Sequence, residues 1–239
     1  MYMIEPSGAF PYKPPTEEVK KYFSHIFEIK ETLPNKFWKV LFDKVVSFII
    51  LVLCIPLLVI LKIAFIIEGV IIKENSGPMF FYYFAVSGGK KIKKYKIRII
   101  KQKFIDQEKA KKHEWIAFSA EWTSDSRTYV GSFVKKYYLD EIPQFFSILI
   151  GDMSIVGPRP LSELHYYRDL EQGNVTRKLI KGGLLGLGHI NKGTELMGDP
   201  RFEYEYIDFY LTKSSIKLLL LDLWIIYRGF ILILKGGGY

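Results

Sequence analysis

Cysteine is almost missing from this chain: Cys54 is the only one in 239 residues. That excludes a disulfide framework and a thiolate metal cluster, and it fits a reducing, cytoplasm-facing setting. Histidine is also scarce. His25, His113, His165 and His189 form no zinc-ligand spacing with one another or with Cys54, so a zinc site is not expected. Ser154 has no adjacent base, which argues against a serine hydrolase. The first thirty residues lack a short apolar core followed by a small-residue cleavage site, so a secretory leader is not expected. Internal repeats and long low-complexity tracts are absent, which excludes repeat architectures. Negative charge is in short supply, with 25 Asp and Glu against 34 Lys and Arg, a net charge of +9. The partner should therefore be acidic: a nucleic acid, an anionic lipid surface or a phosphorylated substrate.

Apolar residues are abundant, at 49% with 16% aromatic, and the length suits one domain with a sizeable core. Membrane association follows from one segment in particular. No charged residue interrupts Val45 to Leu61, and the apolar character resumes after Lys62 as far as Ile67. This run is long enough to cross a hydrocarbon core of about 30 Å. Two features favour a hairpin over a straight span. Pro56 sits mid-run, where it removes a backbone donor and bends the helix. Cationic residues flank both ends, Lys36, Lys39 and Lys44 before and Lys73, Lys90, Lys91, Lys93, Lys94, Lys96 and Arg98 after, whereas a span should carry them on one side. A re-entrant helix-break-helix over 36–72 is expected, with a straight span as the alternative.

Residues 1–35 hold Pro6, Pro11, Pro14 and Pro15, then a charged stretch from Thr16 to Glu31 compatible with a short amphipathic helix; together they read as an accessory arm. Met79 to Phe84, between the Ser76-Gly77-Pro78 and Gly88-Gly89 turns, reads as a strand, with a second over Lys94 to Ile100. Lys101 to Glu114 is expected as a charged helix, Leu139 to Ile150 as an apolar, partly helical segment, Leu161 to Glu171 as a helix and Gly182 to Gly193 as a Gly-rich loop. The C-terminal run from Ile216 is broken by Lys217, Asp222 and Arg228, and Trp224 and Tyr227 suit a headgroup boundary. An interfacial helix is expected there, with a second span as the alternative.

Chemistry is carried by Asp140-Glu141-Ile142-Pro143-Gln144 and by the block from Gly151 to Pro160, which includes Gly157-Pro158-Arg159-Pro160. An adjacent Asp-Glu is usually solvated surface charge. This pair, however, lies among Tyr137, Tyr138, Leu139, Ile142, Phe145 and Phe146, where desolvated carboxylates need cations to balance them. Lys135, Lys136 and Arg159 could supply that balance. Neighbouring carboxylates offer a nucleophile and a metal ligand in one place, and an Arg between two prolines is a rigid fork for phosphate oxygens. Phosphoryl transfer is the chemistry these features suit. A core ion pair with Asp152 is the plain alternative for Arg159, and a hydrogen-bonded loop residue the plain alternative for His189. The Lys90 to Arg98 strip raises nucleic-acid binding, but it follows a membrane segment and no nucleic acid is expected as partner.

On these residues, together with Phe42-Asp43, Pro56, Ser76-Gly77-Pro78, Lys96-Ile97-Arg98, Asp125, Arg127-Thr128 and Gly131, the chain from about Phe37 onward resembles the bacterial sugar transferases, the monotopic phosphoglycosyl transferases. The resemblance implies an α/β fold, mostly helical with a small sheet, anchored by a re-entrant membrane helix that breaks at Pro56. It implies a catalytic domain over 73–239 ending in an interfacial amphipathic helix, on the cytoplasmic face of a bacterial inner membrane. The implied reaction passes sugar 1-phosphate from a UDP-sugar to undecaprenyl phosphate and releases UMP. Asp140 would be the nucleophile of a covalent phospho-sugar intermediate, and Glu141 would hold Mg²⁺. Arg159, Lys135, Arg177 and Lys96 would take phosphate oxygens, Gly183, Gly186, His189 and Asn191 would lie in the nucleotide-sugar loop, and Asp152, Pro158 and Pro160 would support the site. Membrane lipid is an implied partner, and a homodimer is compatible.

The chain departs from the family pattern in several places. Tyr83 and Ala85 stand where Gln and Arg are usual, Ile55 precedes Pro56 where Ser is usual, and Lys135 replaces an Arg. The loop reads Gly182-Gly183-Leu184-Leu185-Gly186-Leu187, with His189 where Gln is common and Gly193 where Arg is common. A non-catalytic membrane scaffold that keeps the fold is the competing expectation.

Overall fold

Gly88 and Gly89, both at positive φ (56° and 71°), close a two-residue turn whose backbone matches the twist of its flanking strands. They join β1 (Phe80–Ser87) to β2 (Lys90–Ile97) in an antiparallel ladder running from Ser87↔Lys90 to Phe80↔Ile97. The computed structural model describes residues 12–114, 123–191, 194–196 and 198–234. In chain order its helices are α1 (Glu17–Tyr22), α2 (Ser24–Phe27), α3 (Phe37–Ile71), α4 (Gln107–Lys111), α5 (Tyr129–Lys136), α6 (Gln144–Leu149), α7 (Glu163–Glu171), α8 (Thr176–Leu179), α9 (Arg201–Thr212) and α10 (Ser215–Leu234). The remaining strands are β3 (Ser154–Val156), β4 (Leu161–Ser162) and β5 (Gly183–Leu185). They form an antiparallel β2-β1-β4 sheet and a parallel β3-β5 pair. The expected architecture, mostly helical with a small sheet, is what forms.

The second strand begins earlier than its expected start at Lys94, because turn geometry sets the register. The expected helix over Lys101 to Glu114 shrinks to a 3-10 turn over Gln102–Phe104 and to α4, which is capped by Asp106. Thr16 caps α1 by accepting from the Val19 amide, with Glu17 and Glu18 in the first turn and Lys20 and Lys21 in the last. This segment is no loose appendage. Val19, Phe23 and Ile26 are buried in the main core with Tyr83, Ile92, Tyr204, Ile207, Leu218 and Ile225. Phe23 and Phe27 stack on Tyr204, and the Leu33 amide donates to the Leu179 carbonyl. Positions 1–11 of the expected arm, Gly193 of the expected loop and the chain after 234 lie outside the described residues.

Helix α3 is the one described helix long and apolar enough to cross a membrane. Its 35 residues run uninterrupted through Pro56, so the expected interruption there is not a gap in the helix. Proline deletes one amide donor, and the apolar turns on either side keep their own hydrogen bonds. Both ends of α3 dock on the same folded body. Near the start, Asp43 accepts from Ser154 Oγ (2.6 Å) and the Ile155 amide (3.2 Å). Near the end, Glu68 accepts from the Tyr129 amide (2.6 Å), the Val130 amide (3.0 Å) and Asn75 Nδ2 (2.7 Å), capping the donors that open α5. Leu61 and Phe65 pack in a second core cluster with Met79, Ile97, Ile99, Ile100 and Val134. Between these anchors Phe48, Val52, Leu53, Ile55, Val59 and Ile60 stay exposed.

Helix α10 packs Leu218, Asp222 and Ile225 inward and leaves Leu220, Trp224, Tyr227 and Phe230 exposed. Asp222, which in the sequence looks like a polar break in the run, is buried in an ion pair with Lys39 of α3 (2.7 Å) and accepts from the Tyr206 hydroxyl (2.7 Å). Helices α3 and α10 are thus held together by an internal charge pair.

Candidate active site

The peptide following α5 is strained. Tyr138 sits at φ 56°, ψ 22°, a left-handed conformation that costs a non-glycine residue of order 1 kcal/mol or more. The strained residue feeds a 3-10 turn, Leu139–Glu141, that presents Asp140 and Glu141 side by side below α6. Asp140 is 1% exposed. One of its oxygens, Oδ2, accepts from Lys96 Nζ at 3.0 Å, while Oδ1 has no hydrogen-bond partner among the described residues. The same ammonium lies 3.3 Å from Glu141 Oε1 and so bridges the two carboxylates. Arg159 Nη2 reaches Glu141 Oε1 at 2.5 Å, and Gln144 Nε2 donates to Oε2. Burial pushes the Glu141 pKa upward, but Arg159, Lys96, Lys94 and Lys135 outweigh it and hold the carboxyl well below the usual range. Glu141 is therefore an anion at neutral pH.

Arg159 is aimed by its own backbone. The Pro158 carbonyl accepts from the Gly183 amide (2.8 Å), the Arg159 carbonyl from Arg177 Nε (3.0 Å) and the Pro160 carbonyl from Lys94 Nζ (3.2 Å). Three consecutive carbonyls held by three donors fix the backbone from which the guanidinium reaches Glu141. The ion pair with Asp152, the alternative reading of Arg159, does not form. The Asp152 backbone accepts from Ser87 Oγ (2.6 Å), and its side chain lines a different cavity beside Gly151 and Lys181, so Asp152 does not support the carboxylate pair.

Arg177 also departs from its expected role as a phosphate clamp. It is 2% exposed and spends its fork on Asp169 (2.6 Å) and Glu203 (2.5 Å). With its Nε on the Arg159 carbonyl, it positions Arg159 from behind. Gly183 and Gly186 likewise act by allowing close backbone contact. A Cβ at Gly183 would meet the Gly157 nitrogen at 2.1 Å, and one at Gly186 the Gly157 carbonyl oxygen at 2.7 Å. These contacts extend the β3-β5 pairing by one step and tie the Gly-rich loop to the Arg159 segment. Asn191 Nδ2 donates to the Leu187 carbonyl (3.1 Å) and holds the loop closed on itself.

His189 lies among the cations without being one. Burial, then Arg159, Arg177 and Lys94, push its pKa down to about 3, so the ring is neutral, and its Nδ1 has no partner. Together with Asp140 Oδ1 and Gln144 Oε1, three buried polar atoms near Glu141 and Arg159 lack partners among the described residues. Buried polar groups are normally satisfied, so such a cluster marks a place for a polar ligand.

Lys94 was not singled out in the sequence. It is 2% exposed and contributes to the low Glu141 pKa. The available signal was the strand period of two, which puts Ile92, Lys94 and Lys96 on the buried face of β2, with Arg98 buried just beyond its end. The same burial removes half of the basic strip that raised nucleic-acid binding. Lys136, offered as a counter-charge, is exposed, its Nζ 5.5 Å from the centre of the Tyr137 ring.

The described residues contain no group of three His, Cys, Asp or Glu placed to hold a metal. Magnesium needs fewer, binding through one or two carboxylates plus substrate phosphates and water. The partnerless Asp140 Oδ1 and the ionised Glu141 are hard oxygen donors that fit such a cation.

The family model described as "Bacterial sugar transferase" matches residues 34–236. The chain is 34% identical over 208 residues to the UDP-glucose:undecaprenyl-phosphate glucose-1-phosphate transferase of Klebsiella pneumoniae, covering 82% of this chain and 41% of that protein. It is 33% identical over 194 residues to the undecaprenyl-phosphate galactose phosphotransferase of Salmonella typhimurium, covering 75% and 37%. It is 32% identical over 197 residues to the UDP-N-acetylgalactosamine-undecaprenyl-phosphate N-acetylgalactosaminephosphotransferase of Aeromonas hydrophila, covering 78% and 42%. The chain thus spans about two fifths of the length of these curated relatives. With a match running from the start of α3 to the end of α10 and the Asp140-Glu141 and Arg159 segments meeting in one buried site, the chain belongs to the bacterial sugar transferase family.

Proposed function

We propose that the protein transfers sugar 1-phosphate from a UDP-sugar to undecaprenyl phosphate and releases UMP, the first membrane step in building a bacterial glycoconjugate. The observation that carries this reading is the buried Asp140-Glu141 pair, bridged by Lys96 and closed by Arg159, with Asp140 Oδ1 left without a partner. Its relatives are named for this reaction with glucose, galactose and N-acetylgalactosamine, so the donor sugar stays open.

In this reading an Asp140 oxygen attacks the phosphorus next to the sugar. The P–O bond to the bridging oxygen breaks, and UMP leaves with that oxygen. An oxygen of undecaprenyl phosphate then attacks the same phosphorus, the Asp140–phosphorus bond breaks, and the carboxylate is restored. Lys96 holds and orients Asp140 through Oδ2, and Arg159 exchanges part of its Glu141 contact for phosphate oxygens. Asp140 and Glu141 would hold Mg²⁺, which supplies charge neutralisation of the diphosphate and the leaving UMP.

The membrane placement belongs to the same proposal. At about 1.5 Å per residue α3 is roughly 50 Å long, yet Asp43 and Glu68 bind one folded body. A helix spanning the bilayer would put those ends on opposite sides, so the two contacts support a monotopic, re-entrant α3 on the cytoplasmic face of the inner membrane. The exposed Trp224, Tyr227 and Phe230 of α10 support an interfacial position for that helix. A water-soluble donor and a bilayer-bound acceptor then meet at the boundary.

The test is UMP release by detergent-solubilised protein given Mg²⁺, undecaprenyl phosphate and a panel of UDP-sugars, with Asp140→Ala as control. Release that needs the lipid, the metal and Asp140 is expected. Release that survives in Asp140→Ala would overturn the assignment of the nucleophile, and no release from any donor would favour a non-catalytic scaffold.

A further inference from the structure

A second cavity, of about 410 Å³, opens where the start of α3 meets the turn of the β1-β2 hairpin. It lies away from the reacting groups. Lys90 lines it at one end of β2, and Lys96 binds Asp140 six residues along the same strand, about 20 Å away at the rise of an extended chain.

Its lining is basic. Lys39 and Lys91 also reach it, but each has a carboxylate partner, Asp222 at 2.7 Å and Glu163 at 2.8 Å. Lys44, Lys90 and Lys181 have no carboxylate within ion-pair distance among the described residues. Two carboxylates face these three ammonium groups. Asp43 already accepts from Ser154 and the Ile155 amide through both oxygens, and Asp152 remains. Burial draws the Lys181 pKa down, opposed by Asp43 and Asp152 and reinforced by Lys44 and Lys90.

A second, independent feature adjoins the cavity. Lys44 heads a stripe on one face of α3, followed at helical spacing by Phe48, Val52 and Ile55, which are 58%, 47% and 55% exposed. A cation cluster at the top of an exposed apolar stripe has the layout of a phospholipid, with a charged head and chains trailing from it. We propose that this cavity binds the phosphate head group of an anionic membrane lipid, with Lys44, Lys90 and Lys181 taking the phosphate oxygens and the acyl chains lying along Phe48, Val52 and Ile55. The distance from Asp140 separates this resident lipid from the acceptor, whose phosphate has to touch the reacting phosphorus. The site ties the foot of the membrane helix to the hairpin that carries Lys96.

The experiment is thermal unfolding of the detergent-solubilised full chain titrated with dioctanoyl phosphatidylglycerol, with dioctanoyl phosphatidylcholine and inorganic phosphate as separate arms. A saturable rise in Tm with phosphatidylglycerol is expected, with little response to the other two. The double variant Lys44→Ala/Lys181→Ala should move the titration midpoint at least tenfold higher while its lipid-free Tm and its UMP release stay near the parent's. If that variant fails to fold, the single variant Lys90→Glu gives the same reading. An unchanged midpoint, or an equal response to phosphatidylcholine, overturns the proposal. An equal response to inorganic phosphate at the same concentration overturns the lipid assignment and leaves a free-anion site. Loss of UMP release in every protein would touch only the proposed reaction, since the binding readout does not use it.

Discussion

Arg177 Nε donates to the Arg159 carbonyl at 3.0 Å, and through that bond a buried arginine that touches no site carboxylate sets the direction of the one that does. The remainder of its fork is held by Asp169 and Glu203. Arg177→Met would leave two buried carboxylates facing each other without a cation and should cost about 3–5 kcal/mol. A large fall in Tm is expected. Arg177→Lys, which keeps the charge but loses the fork, should fold better and still bind donor poorly, seen as a raised KM for the UDP-sugar. A Tm within error of the parent for Arg177→Met would contradict this placement.

Lys96 bridges both carboxylates from within 3.3 Å. Replacing it by Met removes a preorganised charge from a water-poor site, and kcat should fall by about 10²–10³-fold. The check is UMP release under saturating donor, with Tm measured alongside to separate folding from chemistry.

Acid stability should report on Glu141. Its folded pKa lies well below the unfolded value, so its ionised pairing with Arg159 and Lys96 stabilises the protein fully above about pH 4.3. That contribution is lost as pH falls through the lower folded value. Glu141→Gln should be less stable than the parent at pH 7, and the gap should close as pH falls below about 4. Parallel Tm curves for the two proteins down to pH 3 would show that Glu141 is not the group responsible.

Glu68 fastens the C-terminal end of α3 to the start of α5 through the Tyr129 and Val130 amides. Glu68→Ala should cost about 2–3 kcal/mol, since it strands buried donors of a charge-assisted cap. A Tm drop of roughly 5–10 °C is the expected reading for a domain of this size.

Membrane topology is open to labelling, because Cys54 is the only native cysteine. In a Cys54→Ser background, Lys20→Cys and Lys90→Cys should both react with an impermeant maleimide from the cytoplasmic side. Labelling from opposite sides would establish a span and overturn the re-entrant reading.

Much of the site could be read along the chain because its chemistry is concentrated in two short blocks. Asp140, Glu141 and Arg159 stand out in sequence, and the structure pairs Arg159 with Glu141 and links Glu141 to Asp140 through Lys96. Arg177 and Asp152 were misjudged for the same reason in each case. A charged side chain declares its charge in sequence but not its partner, and Asp169 and Glu203 reach Arg177 only through the packing of α7 and α9. Lys94 reads in the sequence only as one of several basic residues, because a lysine-rich stretch looks like surface until strand register sorts alternate residues inward. Asp222 looked like a break in an apolar run, and tertiary contact with Lys39 turned it into an internal ion pair.

By itself the sequence determined what local chemistry and periodicity control: the apolar length of α3, the Gly88-Gly89 hairpin, the caps of the short helices and the residue types of the catalytic blocks. The tertiary structure alone decided which charges meet, which glycines exist for backbone contact rather than for turns, and that both ends of α3 return to one body. The physical reason is range. Backbone preference and hydrophobic period act over a few residues, whereas the pairing of Asp43 with Ser154 or of Lys96 with Asp140 joins positions 111 and 44 residues apart and exists only once the core between them has closed.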